Sequence, residues 1–551
     1  MNLRNQFSVA LRAENIAKLE QENFDLLIIG GGITGAGAAR DAAARGMKVA
    51  LIEARDFAVG TSSRSSKLVH GGIRYLENLE FKLVFEALSE RTKLFEMAPH
   101  LVHHLRFMIP LYDDSRVGMF KMGLGMWLYD ALSLFGAPEL HERLDAKLTY
   151  ERMPTLQAEG LRGSYIYSDG YMDDDRLVHE TLRSASSLGA VIVNQVRATG
   201  VVMGEGGRIE RTIVRDQVSG REFRIQAHHV ISSVGPWTDE LGRDLFRDWK
   251  KILRPTKGIH LTLPKDRLPL SSAVVMAAEK SQRIVFGIPR HEMIIIGTTD
   301  TDYSGHPEDV VATKEDVSYL LDITAQYFPG ARLQPSDIIA SYAGVRPLVQ
   351  DGSQSEGKTS REHTIFNDPR GVTFVAGGKY TTYRLMAQQV VDHALRCFSL
   401  EEQIQYQRVD TACPLNPWTS LEAYDMGLAS VDRWARDSRR PLSEVQRLFE
   451  RYGREAELIL GESTSDMTFW EIEAQQAIHN TMCMDLTDFY ARRVPLHLAT
   501  PDHGMFALEG VATLFQAELG WTDQETLSQK AKLKEFILRE LAWKSFFGVT
   551  P

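Results

Sequence analysis

The sequence has little of what marks several large functional classes. Three cysteines occur in 551 residues: Cys397, Cys413 and Cys483. They are too few and too scattered to assemble a Cys-based zinc site, an iron–sulfur cluster or a disulfide framework, and such usage fits a reducing cytoplasm. Positive charge is not in excess. The 63 Lys+Arg stand against 73 Asp+Glu, a formal net charge of −10. That argues against a general nucleic-acid binder, which needs a basic face, yet leaves room for a local cationic pocket. No run of about 18 uncharged apolar residues is present, so no segment reads as membrane-spanning. Arg12, Glu14, Lys18 and Glu20 break up the N-terminal stretch, which therefore does not read as a secretory signal. Internal repeats are absent, and the most loop-like polar tract is the short DGSQSEGKTSREH, 351–363. The remainder is an ordinary globular composition, 43% hydrophobic, at a length that suits two to four domains.

Residues 1–23 read as a polar, amphipathic lead-in helix. A strand–turn–helix–strand unit follows: FDLLII (24–29), a Gly-rich turn (30–35), a helix over 36–45 with Gly46 as its C-cap, and MKVALI (47–52) ending at Glu53. This is the parallel start of an α/β domain. Helices are expected over 76–97 and 176–187, with a strand in VIVNQVRA (191–198). RTIVRDQV, EFRIQA and EMIIIGT, within 199–300, predict an antiparallel meander. Strand–turn–helix character returns at 371–395. From about 400 onward the pattern predicts a separate helical domain rich in charge pairs.

Gly30, Gly32 and Gly35 fit G-x-G-x-x-G in the context that motif requires, after a strand and opening a helix. The first permits the tight turn, the second lets backbone approach a pyrophosphate, and the third lets helix and strand pack closely. The helix N-terminus then offers free N–H groups to the anion. Glu53, at the end of the second strand, can accept from ribose hydroxyls and would repel a 2′-phosphate, which disfavours NADP. This unit alone does not separate FAD from NAD.

The segment TSSRSSKLVHGGIRY (61–75) supplies hydroxyls, glycines and basic groups where a flavoprotein runs along the pyrophosphate and under the isoalloxazine ring. With IIGGGITGAGAARDAAARG (28–46), TSSRSSKLVHGGIRYLE (61–77), YSDGYMDDDRLV (167–178), RPTKGIH (254–260), GTTDTD (297–302), YAGVRPL (342–348) and GGKYTTYR (377–384), the chain resembles the FAD-dependent glycerol-3-phosphate dehydrogenase family over nearly its whole length. HNTMCMDLTDFYARR (479–493) looks like that family's cap domain. Two departures are visible. Ser232-Ser233 precede Val234-Gly235-Pro236-Trp237 where the family often has Asn-Ala before Gly-Pro-Trp, and Tyr380 follows Lys379. The cysteine-rich extension of the anaerobic branch is absent.

The resemblance implies an α/β fold plus helical cap. Its parts are a Rossmann-like FAD-binding domain of the glycine/D-amino-acid oxidase type (24–110, 165–250 and 340–398), an antiparallel-sheet substrate domain (111–164 and 251–339), and a C-terminal α-helical domain (399–551). It implies oxidation of sn-glycerol 3-phosphate with non-covalent FAD, electrons passing to membrane quinone, peripheral attachment to the cytoplasmic membrane, and a homodimer. Oxidase relatives use dioxygen instead. Carried onto matching positions, Gly30, Gly32, Gly35 and Glu53 serve the ADP half. Thr61, Ser62, Ser66 and Lys67 follow the pyrophosphate and ring, and Val196 meets the adenine through its backbone. Gly235 joins them, and Gly377, Gly378 and Thr381 close over the ribityl chain.

Such a reaction needs cations for a phosphate, a donor at the developing alkoxide and a general base. Arg346 can fork onto phosphate or hold the C2 oxygen. Lys379, Arg74 and Arg361 are further phosphate candidates, against the alternative of ordinary surface salt bridges. His260 is the candidate base and His70 a group beside the flavin; either imidazole titrates near neutrality unless it is a structural histidine. Tyr75 is a substrate donor or a core aromatic. His100, His103 and His104 lack acidic neighbours and are expected to be structural, with no metal site. Asp173-Asp174-Asp175 is expected to be a solvated N-terminal cap. VGMFKMGLGMWLYDALSLFG (117–136) and AKLKEFILRELAWKSFFG (531–548) suit either a membrane interface or internal packing. Two other readings stand beside the first: an amine or amino-acid oxidase, which needs a carboxylate clamp, and a flavin-binding scaffold without turnover.

Overall fold

A computed structural model describes residues 4–550 apart from 78, 135, 137–138, 279–282 and 351–362. Two sheets organise it. In the first, five parallel strands run in the order Val191–Val193, Val49–Ile52, Asn23–Ile29, Glu222–Ser232 and Val372–Gly377. The strand His363–Asp368 closes the edge antiparallel to the last of these. Leu26, Leu27 and Ile28 are fully buried, as a strand covered on both faces requires. One face is covered by the helix Ile33–Ala44, packed between Asp174–Ser187 and Tyr383–Leu395. Its run of small residues permits the close approach, since a Cβ on Gly37 would crowd Tyr383 and Ala387.

The second sheet is mainly antiparallel. Leu253–Pro264 lies between Met293–Gly297 and Ala340–Val349, and the sheet continues through Arg283–Arg290, Ala273–Ala278, Val102–Tyr112 and Leu161–Met172 to Leu68–Val69. The expected meander over 199–300 is therefore split. Ile209–Asp216 pairs antiparallel with the first half of Glu222–Ser232, whose second half joins the parallel sheet, whereas Met293–Gly297 belongs to the other sheet. Val102–Tyr112, Leu161–Met172 and Ala340–Val349 all pair in the second sheet, so strand membership does not change at 110, 164 and 339.

The helical C-terminal domain has a core of its own around Trp434, Leu448 and Phe449 and shares another with the second sheet: Phe489, Phe515 and Leu533 join Phe107, Tyr167 and Tyr342 in one cluster. In the 531–548 segment Leu533, Ile537, Leu541 and Trp543 are buried, so this stretch is largely core packing. Buried ion pairs fasten the domain further. Arg493 forks onto Asp56 through two 2.8 Å bonds, and Arg492 Nε adds a third at 2.7 Å. Burial alone would raise the Asp56 carboxyl, but Arg493 and Arg492 hold it well below the usual range. The N-terminal arm adds a second strap. Arg4 reaches Glu455 and Gln476 in the helical domain, while Arg12 donates to the carbonyls of Asn194 and Gln195 and, at 2.6 Å, to Asp216.

Asp56→Ala leaves two buried guanidinium groups without their carboxylate, and is expected to cost about 3–5 kcal/mol. An unchanged urea midpoint would refute the clasp. Burial also lowers His229 and His497 to about 3 and His103 to about 4, from 6.5. The unfolded chain binds these protons first. Stability is therefore full above pH 6.5 and falls as pH drops from there toward 4, by about 1.4 kcal/mol per pH unit for each histidine. A denaturation midpoint flat between pH 7 and 4.5 would contradict this.

Candidate active site

A cavity of about 630 Å³ runs between the two sheets. At its start the chain leaves Ile29 through Gly30 at φ +113°, where a Cβ would press on Ser233 O. Gly32 is the N-cap of the helix Ile33–Ala44 and brings no capping side chain, so the helix N-terminus opens toward the cavity. Gly35 does not line it. A Cβ there would overlap Gly30 O, so this glycine keeps helix and turn in contact. Ser233, one of the two departures, stitches the turn to its neighbour strand by donating from Oγ to Ile29 O and Gly30 O.

Glu53 lines the cavity, with Oε2 accepting from Gly31 N–H at 2.7 Å and Oε1 from Arg55 N–H at 2.9 Å. Burial raises its carboxyl, and these two donors act against that. Ser62 Oγ accepts from Ile33 N–H at 3.0 Å, and Thr61 Oγ1 donates to Val345 O at 2.6 Å, pinning the Thr/Ser loop between the two sheets. Val196 and Gly235 line the cavity, and the Val196 N–H is committed to Glu53 O. Gly377 and Gly378, at φ +77° and +96°, also line it, as does Thr381, whose Oγ1 accepts from His70 N–H at 3.3 Å.

Lys67 corrects its expectation. Its amine turns away from the cavity into a buried ion pair with Asp174. Asp173 and Asp174 are accordingly not solvated: Asp173 is paired with Arg290 and Arg451, and Asp174 takes Lys67 together with Ser65 Oγ at 2.7 Å. Tyr380, the other departure, donates its hydroxyl to Asp174 O. His100, His103 and His104 are not on a helix; the latter two sit on Val102–Tyr112 against Tyr171 and Phe95. Among the described residues no cluster of three or more His, Cys, Asp or Glu is spaced to hold a metal ion.

His70, Tyr75, His260, Arg346 and Lys379 also line the cavity. Lys379 Nζ lies 3.6 Å from the centroid of the Tyr75 ring. Arg346 Nη1 meets Asp300 Oδ1 at 3.0 Å, and Nη2 meets Thr298 Oγ1 at 3.1 Å. His260 stacks on Tyr342 at 4.7 Å, and its Nε2 is 2.8 Å from Ser66 Oγ. Burial above all, then the cations of Arg346 and Lys67, holds His260 well below the usual histidine value, so the ring is neutral. Arg361 and the side chain of Arg74 lie outside the described residues.

Sequence reasoning missed a further part of the cavity wall. There Arg55 lies over Trp237 at 5.0 Å and pairs with Glu308 at 3.2 Å, all three lining the cavity. Trp237 stood in a recognised motif, but nothing marked Arg55 or Glu308. It also missed Asp300 and Thr298, although their motif was noticed.

The glycine turn, the helix N-terminus, the carboxylate after the second strand and the second Gly-Gly turn fit a dinucleotide along this cavity. The family described as FAD dependent oxidoreductase matches residues 25–384, and that described as the C-terminal domain of alpha-glycerophosphate oxidase matches 424–526. The chain is 34% identical over 530 residues to a Staphylococcus saprophyticus protein named aerobic glycerol-3-phosphate dehydrogenase, covering 94% of each. A Bacillus halodurans glycerol-3-phosphate dehydrogenase solved with FAD superposes with a TM-score of 0.81 at 28% identity, over 97% of this chain and 98% of that one. Glycine oxidase from Geobacillus kaustophilus shares the fold over 71% of this chain and 99% of its own, with a TM-score of 0.52 at 18% identity. With these matches spanning both the cavity-forming sheets and the helical domain, the protein binds FAD and belongs to the FAD-dependent glycerol-3-phosphate dehydrogenase family.

Proposed function

We propose that the protein oxidises sn-glycerol 3-phosphate to dihydroxyacetone phosphate and passes the electrons to quinone in a membrane. The observation that carries this reading is the hollow's lining, in which Arg346 stands near a neutral imidazole and Lys379 over the Tyr75 ring, with His70 also in the wall.

FAD supplies the acceptor for the C2 hydride. Lys379 binds the phosphate, with Arg74 and Arg361 carried over from the family as further cations. Arg346, whose Nη hydrogens are taken by Thr298, Thr299 and Asp300, presents its positive charge to the C2 oxygen as negative charge develops there. His260 takes the hydroxyl proton at Nε2, the atom that Ser66 Oγ meets. The low basicity enforced by burial and neighbouring cations makes that proton easy to pass on. His70, beside the Thr381 turn, shapes the flavin end of the hollow.

The membrane part of the reading is supported by the helix Met119–Leu132. It exposes Phe120 at 81% and Trp127 at 59%, with Leu124 and Leu128 on the same stretch, and Lys121 among them. Phe81 and Phe85, on the neighbouring helix Phe81–Met97, extend this apolar surface. Aromatics and a lysine around an apolar face suit the boundary between headgroups and acyl chains. Among the described residues no helix is long and apolar enough to cross a membrane.

Anaerobic glycerol 3-phosphate is expected to bleach the bound flavin, and amino acids are not. Absence of bleaching would overturn the substrate, and reoxidation by air rather than by a quinone would replace the acceptor with dioxygen. Arg346→Ala is expected to retain FAD and slow bleaching by about 10²–10³-fold; a rate near wild type would remove Arg346 from the site. The double variant Phe120→Ser/Trp127→Ser is expected to bind anionic vesicles at least about tenfold more weakly in co-sedimentation. Equal binding would move the membrane contact elsewhere.

A further inference from the structure

Resting on the substrate reading of this hollow, we infer that Asp300 is a positioning residue for Arg346, and that the GTTDTD loop is the cradle in which the guanidinium is set. Arg346 lies on Ala340–Val349, opposite Thr256 of Leu253–Pro264. The loop leaves the other neighbour of that strand, Met293–Gly297, and crosses beneath the guanidinium. Nη1 donates to Asp300 Oδ1 at 3.0 Å and to Thr299 O at 3.2 Å. Nη2 donates to Thr298 Oγ1 at 3.1 Å and to the same carbonyl at 3.2 Å. The planar fork is thus met along one edge by three consecutive residues, which fixes its plane as well as its position.

Two further features fit that role. Gly258 gives the group its room, because a Cβ there would collide with Arg346 Nη2 and approach Thr298 Oγ1 to 2.7 Å. Thr299 Oγ1 accepts from Ile259 N–H at 3.1 Å, so the loop that seats Arg346 also holds the strand that presents His260. Asp300 is nearly buried, at 9% exposure, so its charge meets the cation where water screens little. The pair keeps the guanidinium in place before substrate arrives, which is the preorganisation that stabilising a developing charge requires.

The test is flavin reduction by glycerol 3-phosphate, followed anaerobically and normalised to bound FAD. Asp300→Asn, which keeps an acceptor but loses the charge, is expected to slow reduction about tenfold, and Asp300→Ala about 100-fold. The substrate concentration for half-maximal rate should change much less. Added guanidinium ion should restore part of the rate in Arg346→Ala and fail to do so in Arg346→Ala/Asp300→Ala, which lacks the seat. Gly258→Ala, which displaces the guanidinium with Asp300 intact, should slow reduction in the same way and serves if Asp300→Ala does not fold. Wild-type reduction rates in the Asp300 variants, or equal rescue of both Arg346→Ala backgrounds, would overturn the inference. Wild-type protein that glycerol 3-phosphate does not bleach would instead overturn the substrate reading on which it rests.

Discussion

A carboxylate taken out of water must be met on every side by cations and hydrogen-bond donors, and Asp174 is where this demand shapes the molecule. Its side chain holds the Lys67 amine and the Ser65 hydroxyl, and its carbonyl holds the Tyr380 hydroxyl. Three stretches far apart in the chain thereby converge: the Thr/Ser loop, the start of the helix Asp174–Ser187 and the second Gly-Gly turn. Ser66, next to the clamped lysine, is the partner of His260. The loop therefore holds Ser66 toward His260 while Ser65 and Lys67 are tied to Asp174.

The same rule governs how the helical domain is attached. Glu180 meets Arg176 and Arg183, and Arg183 passes on to Glu455, which also receives Arg4. Asp56 does the equivalent for Arg492 and Arg493. Each carboxylate sits on the cofactor side of the molecule or faces it, so the cap is registered by charge as well as by the apolar core it shares with the second sheet.

Much of this was legible in the sequence wherever the requirement is local. The first βαβ unit shows itself because a turn at positive φ and a helix packed on its own strand demand glycine at fixed positions. The hollow's histidines, arginine and lysine were legible through motifs whose partners lie elsewhere. What could not be read is what distant residues decide. Lys67 stands among basic and hydroxyl residues that read as ligand-facing, yet its direction is set by Asp174, more than a hundred positions away. The acidic run at 173–175 looks solvated until Arg290 and Arg451 arrive from the second sheet and the helical domain. Strand membership of Val102–Tyr112 depends on pairing with Leu161–Met172, which no periodicity within either strand reveals.

The floor of the cavity also depends on residues near position 540. Trp543 donates its indole N–H to Ser341 Oγ, Ser341 Oγ donates to Glu540 O, and the Glu540 carboxylate pairs with Arg64 in the cavity wall. The wall beside the cofactor site is thus braced through Arg64 by the helical domain, and a change at Trp543 or Glu540 would be felt in the cavity although neither residue lines it.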